Sequence, residues 1–194
     1  MSETPASDAN AIEVRVETID QMFASLDPSP FREKDLDKDA EEFIVNWAQE
    51  IPSDQPIKIV VHLPAEELAR PEAKEIGPAI TRFFDYRAQL LDFEVKELFR
   101  IGRRSLVIGV TVLAVSIVAG QTVSARLEPR PLAEVIEQSL LIFAWVANWR
   151  PIEIFLYDWW PIGRRRDQYR RLASAAIELK PFKPGDERQS FFAR

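Results

Sequence analysis

The chain contains no cysteine, a single histidine (His62) and six scattered glycines in 194 residues. Without cysteine there are no disulfides, thiol nucleophiles or thiolate metal sites. One imidazole rules out a zinc centre built on several histidines. The glycines, at 77, 102, 109, 120, 163 and 185, never cluster into a phosphate-cradling loop. The N-terminus, MSETPASDANA, lacks a basic stretch followed by an apolar one, so no cleavable signal peptide is expected. From these absences no catalytic, cofactor-binding or metal-ligating residue is assigned, and the expectation is a protein that is not an enzyme.

Two long stretches have almost no charge. Ser105 to Val123 (SLVIGVTVLAVSIVAGQTV) has none over 19 residues, about 28 Å of helix and close to the hydrocarbon thickness of a bilayer. That is too long for one strand. A second apolar stretch runs from Leu132 to Trp149, with Glu134, Glu137 and Gln138 in its first two turns. The connection at 124–131 (SARLEPRP) is short and ends in proline, which suits an antiparallel hairpin. Arg103 and Arg104 precede the first stretch, and Arg164, Arg165 and Arg166 follow the second. Two arginines in the loop, Arg126 and Arg130, face a larger number on the other side, so both chain ends are expected in the cytoplasm.

The expected fold class is therefore an α+β membrane protein. A small N-terminal βαβ-like cytoplasmic module would lead through a long helix into a two-helix transmembrane hairpin, followed by an interfacial, basic C-terminal helix. The expected organisation is disorder over 1–10, the module over 11–64 and a long amphipathic helix over 65–104. Transmembrane helices at 105–123 and 132–149 flank an external loop at 124–131. An interfacial aromatic helix at 150–162 and a basic helix and tail at 163–194 complete the chain.

In the module, AIEVRVET (11–18) alternates apolar and charged residues and PIKIVVHLP (56–64) is nearly all apolar, so both read as strands. Ile19 to Leu26 reads as a short helix, stopped by DPSPF at 27–31. Asp37 to Ile51 reads as a helix with acids crowding its start and Phe43, Ile44, Trp47 and Ile51 on its inner face. Asp35, Asp37 and Asp39 alternate like a calcium loop, but Ala40 and Asn46 stand where glycine and glutamate are required. From Pro78 a long helix, running on into the first span with Gly102 as a flex point, carries two stripes. Phe84, Ala88, Leu91, Val95 and Leu98 form one, and Phe83, Tyr86, Leu90 and Phe93 form a second that is the candidate partner interface.

Within the first span, Ser105, Gly109, Ser116 and Gly120 form a small-residue stripe for close helix packing. The segment WRPIEIFLYDWWPI places Arg150, Glu153 and Asp158 beyond the second span. Inside hydrocarbon these would cost about 2.5–3.5 kcal/mol each, so the span is expected to end near Trp149, with a continuous kinked span to Ile162 as the alternative. Pro151 would then open a new helix with Ile152, Phe155, Leu156, Trp159 and Trp160 on one face. Arg103, Arg104, Trp149, Arg150, Trp159, Trp160, Arg164, Arg165 and Arg166 are the candidate membrane-interface residues, and Glu134, Glu137 and Gln138 the polar membrane-edge candidates. Tyr169, Leu172, Ala176 and Leu179 would form the apolar side of the C-terminal helix, and Phe191–Phe192 a docking pair in the tail.

Charge is divided unevenly. Residues 1–100 hold 22 acidic and 11 basic side chains, residues 101–194 hold 9 and 14. The acidic half repels a phosphate backbone, so no nucleic-acid partner is expected. The basic half sits where anionic lipid headgroups would be met. Expected partners are that lipid surface and a protein, or a second copy of the chain. The expected role is an adaptor, assembly factor or regulatory subunit in the plasma (inner) membrane, with a homo-oligomeric pore as the alternative.

Overall fold

A computed structural model describes residues 11–24 and 34–182. The expected disorder at 1–10, the DPSPF stop at 27–31 and the Phe191–Phe192 tail lie outside the described residues. Mixed helix and strand surround a small parallel sheet, and two of the helices are long and apolar enough to cross a membrane. The chain forms two compact units, one of residues 1–89 with 165–194 and the other of residues 90–164.

In the first unit, strands β1 (Ala11–Arg15), β2 (Lys58–Pro64) and β3 (Ala176–Phe182) lie in the order β1-β2-β3, all parallel. The register aligns Ile12 with Ile59 and Ile177, and Val14 with Val61 and Leu179. These rows share one sheet face, because side chains alternate with period two. Helix α1 (Lys38–Glu50) crosses between β1 and β2, and Asp37 caps it, its Oδ1 accepting from the Asp39 N–H at 2.9 Å. The acidic run at 35–39 is thus a helix start. A single 3-10 turn at Ile19–Met22 stands where a short helix was expected.

The sheet is larger than the expected 11–64 module. Its third strand comes from the far end of the sequence, and everything between β2 and β3, the two long helices included, is the crossover connection. The basic helix ends at Ala173, and Ala176 and Leu179 belong to β3 instead of the helix's apolar side. Parallel β2 and β3 require such a long crossover. A two-stranded sheet is marginal alone, and β3 supplies the missing neighbour on the open side of β2. Seven residues with Lys180 and Pro181 among them gave no strand signal.

On α1 the buried line is Glu41, Ile44 and Ala48, while Phe43 and Trp47 are 42% and 49% exposed. The inner face is therefore shifted from the expected one, because a carboxylate occupies a core position. After the four-residue helix α2 (Ala65–Leu68), helix α3 runs unbroken from Ala73 to Arg126. It starts five residues ahead of the expected Pro78, which lies inside it. Its Gly77 faces β3, where an added Cβ would sit 3.8 Å from the Ile177 side chain. Ile44, Ile59, Ile76, Ile80 and Phe84 are fully buried, at about 1.5–3 kcal/mol of stabilisation each. The first predicted stripe holds, with Phe84, Ala88, Leu91 and Val95 buried.

The second unit contains the rest of α3, then α4 (Arg130–Ala147), α5 (Trp149–Glu153), a π-helical segment (Ile154–Asp158) and the first residues of α6 (Trp159–Ala173). Arg130 to Ala173 is essentially one helical path of 44 residues. A new helical element does open here, at Trp149, two residues earlier than expected, with Pro151 in its first turn. That proline lies at the third position of α5, buried, behind Asn148.

Candidate functional site

The second unit is a helix pair whose seam is built from small residues. Among the buried and half-buried positions on α3 are Gly102, Ser105, Gly109, Val112, Ser116 and Ala119; among those opposite are Ala133, Glu137, Leu140, Ala144, Ala147 and Pro151. Both series step by three and four residues, the spacing that keeps one helix face on its neighbour. Three glycines fix the register. A Cβ on Gly102 would meet Ile154 Cγ2 at 2.8 Å, on Gly109 Asn148 Oδ1 at 2.5 Å, and on Gly120 Glu137 Cγ at 3.2 Å. Numbers on one helix fall as those on the other rise, so the pair is antiparallel. Asn148 Nδ2 donates to the Gly109 carbonyl at 3.0 Å and the Ala144 carbonyl at 2.9 Å, tying the helices together where the backbone approach is closest. The expected packing residues Gly109, Ser116 and Gly120 all lie in this seam. Gly102, expected as a flex point, is a packing position inside a continuous helix.

This register aligns the two apolar stretches. The uncharged run 105–123 lies alongside residues 134–152, which sets Arg150 against its first turn and the charges at 153 and 158 beside the charged turns of α3 that precede it. Only 17% of each apolar window is buried, which distinguishes these helices from core helices of a globular domain. Arg150 Nη1 reaches Glu153 Oε2 at 3.2 Å and Asp158 Oδ2 at 3.0 Å, and Trp149 Nε1 donates to Glu153 Oε1 at 2.8 Å. The three charges that terminate the second apolar stretch thus compensate one another.

The face expected on 152–160 divides. Phe155 and Trp159 turn inward, with ring centroids 5.9 and 6.2 Å from Phe99. Ile152, Leu156 and Trp160 are exposed. Ile154 is fully buried, though its position was not expected to be. The π segment explains the division: its wider i→i+5 turns keep residues four apart in line, so 151, 155, 159 and 163 stay inward and 152, 156 and 160 outward.

Of the membrane-interface candidates, Arg103, Arg104, Arg164 and Arg165 are exposed, as are Trp149 and Trp160; Arg166 is half-buried and bonds Asp167. Among the polar edge residues, Glu134 and Gln138 are exposed. Glu137 instead enters the seam, where the Ser124 hydroxyl donates to its Oε2 at 2.6 Å. It lines a cavity of about 80 Å³ with Ser116, Ile117, Gly120, Gln121 and Leu141.

Along α3 the partner-interface candidates also separate. Phe83 is buried edge-to-face on Phe84 with Arg87 over its ring, whereas Tyr86, Leu90 and Phe93 are exposed at 53%, 36% and 65%. The buried polar centre of the first unit is Glu41. Tyr169 Oη donates to its Oε1 at 2.7 Å and Arg87 Nη2 to its Oε2 at 2.6 Å. Burial, then the Glu41 hydrogen bond, pushes the Tyr169 phenol above its ordinary value. The Glu41 hydrogen bond raises Arg87. Gln168 Nε2 donates to the Val45 carbonyl, and Arg171 to the Pro52 and Gln55 carbonyls beyond the end of α1. These contacts join the N-terminal helix to the C-terminal one, and no local sequence signal announced them. His62 sits two residues before the end of β2, with Nε2 3.8 Å from a Glu13 carboxylate oxygen. Among the described residues no three His, Asp or Glu side chains converge as a metal-binding group. The chain matches no protein-family model, and no curated protein or solved structure matches it.

Proposed function

We propose that the chain is a two-span membrane protein of the plasma (inner) membrane with both ends in the cytoplasm, acting without catalysis as an adaptor, assembly factor or regulatory subunit. The observation that carries this reading is the composition of the first unit. The segments before and after the apolar hairpin build one sheet-and-helix module, and that module leaves the Phe43–Trp47 pair uncovered, with ring centroids 6.1 Å apart. Aromatic residues exposed beside one another on a well-packed support are the usual anchors of protein interfaces. Anionic headgroups meet the arginines at 103, 104, 164 and 165. A homo-oligomeric pore is the rival reading, supported by the polar cavity at Glu137.

The test is native mass spectrometry of the chain extracted mildly with its lipid. A foreign protein in fixed stoichiometry is expected, and it should be lost when Phe43 and Trp47 are both changed to serine while the module's melting temperature is unchanged. A homo-oligomer of fixed number with nothing else bound would replace the adaptor reading with the pore.

A further inference from the structure

We infer that the outer edge of β1 pairs, antiparallel, with β1 of a second copy of the chain, in the register that sets Glu13 opposite Arg15. This goes beyond the adaptor reading, which concerns a foreign protein at Phe43–Trp47.

A three-stranded sheet has two open edges, and here they differ. Just past β1, Val16 donates its N–H to the His62 carbonyl at 3.1 Å; at the start of β3, Ala176 donates to the Ile57 carbonyl at 3.2 Å. The N–H and C=O of one residue point to the same side of a strand, and those of the next residue to the other. Ile12, Val14 and Val16 therefore turn their backbone groups to β2, and Glu13 and Arg15 turn theirs outward. On β3 the outward residues are Ile177, Leu179 and Pro181. Pro181 has no N–H to offer, and a proline with lysine beside it keeps a sheet edge from recruiting another strand. The β1 edge carries no such block. Among the described residues nothing bonds the outward backbone groups of Glu13 or Arg15.

Charge selects the second copy and the register. Outward groups have to meet outward groups, so with the strands fully overlapped Glu13 stands opposite Glu13, Arg15 opposite Arg15, or Glu13 opposite Arg15. The first two set like charges directly across from each other, which destabilises the pair; the third sets unlike charges across twice, once on each side of the two-fold axis. Both pairs then exchange their two backbone hydrogen bonds. On the other face Val14 meets Val14 and Ile12 meets Val16, so the apolar core face, where Ile12 and Val14 are buried, continues across the junction. Both charges are accessible. The Glu13 side chain is 66% exposed, with Oε2 3.8 Å from His62 Nε2. The Arg15 guanidinium lies 4.7 Å from the centre of the Phe182 ring, and among the described residues no carboxylate pairs with it. A strand of five residues is a short edge, and confinement of two copies to one membrane surface raises the concentration at which they meet.

The test reads energy transfer between full-length chains carrying donor or acceptor dye at Asp54→Cys, reconstituted in phosphatidylcholine vesicles. Glu13→Arg and Arg15→Glu should each weaken self-association at least tenfold, because each sets like charges opposite at both positions. An equimolar mixture of the two variants should associate within twofold of the native chain, since every opposed pair is again unlike. The double exchange Glu13→Arg/Arg15→Glu should do the same. Recovery in the mixture also shows that neither single variant is misfolded. A native chain that does not self-associate, single variants that associate as the native chain does, or a mixture as weak as its components would overturn the assignment. Phe43 and Trp47 are untouched throughout. A monomer that keeps its foreign protein would therefore defeat this inference alone, and a dimer with no foreign protein would defeat the adaptor reading alone.

Discussion

Gly109→Leu is expected to separate the two long helices. Even the first carbon of a side chain would stand 2.5 Å from Asn148 Oδ1 and 3.3 Å from the Ala147 carbonyl oxygen. The Asn148 amide could turn aside, but it would then give up its hydrogen bonds to the Gly109 and Ala144 carbonyls. The Ala147 carbonyl belongs to a helix and yields only if that helix moves. The expected cost is about 2–3 kcal/mol, at the upper end for overpacking. Unfolding of the purified chain in mixed detergent micelles, titrated with SDS, measures it. Gly120→Ala is the control. Its added carbon meets a flexible Glu137 side chain at 3.2 Å, so it should shift the midpoint far less. Equal effects at the two positions would refute a seam that is tightest at Gly109.

Removing the Glu41 carboxylate should be the most damaging loss of a polar group in the first unit. Glu41→Ala strands the Tyr169 hydroxyl, which is buried, and releases Arg87, whose side chain is 43% exposed and recovers water. The expected loss is about 2–3 kcal/mol, below the range for a fully buried pair because Arg87 is partly solvated. Tyr169→Phe should cost about 1–2 kcal/mol by leaving one carboxylate oxygen without its donor.

The same pair predicts a pH dependence. The folded protein holds the Tyr169 proton more tightly than the unfolded chain does. Its contribution is therefore complete below the ordinary tyrosine value of about 10 and is lost as pH rises through the higher folded value. Melting followed by circular dichroism from pH 7 to 11 should show an alkaline decline that is shallower in Tyr169→Phe. An identical decline in both would remove Tyr169 as its origin.

What could be read in advance follows the range of the interactions. The apolar runs and the stripe at Gly109, Ser116 and Gly120 are local patterns on single helices, and the hairpin they imply matches the register fixed by the three glycine contacts. The buried stripe Phe84–Ala88–Leu91–Val95 was legible for the same reason. Glu41 was not: a carboxylate at a core position makes sense only with Arg87 and Tyr169 beside it, and these lie 46 and 128 residues away. With Glu41 taken for surface, the face of α1 was turned toward Phe43 and Trp47. Strand β3 was hidden because its register partner β2 is more than a hundred residues earlier, and Tyr169, Leu172, Ala176 and Leu179 imitate a helical stripe by their spacing. The π segment leaves no mark on composition. It redirects Phe155 and Trp159 inward against Phe99, where α-helical periodicity had placed them on one surface with Ile152, Leu156 and Trp160.

In the proposed topology the apolar hairpin crosses the membrane and returns, leaving both flanks of the chain on the cytoplasmic side to build one module. The native chain has no cysteine, so single cysteines can be placed without background at Glu128 in the loop, Asp54 before β2 and Ser174 before β3. Labelling sealed cells with a membrane-impermeant maleimide should modify Glu128→Cys at once. Asp54→Cys and Ser174→Cys should react only after the membrane is opened. Reaction of position 54 and position 174 from opposite sides, or of all three before opening, would contradict the account.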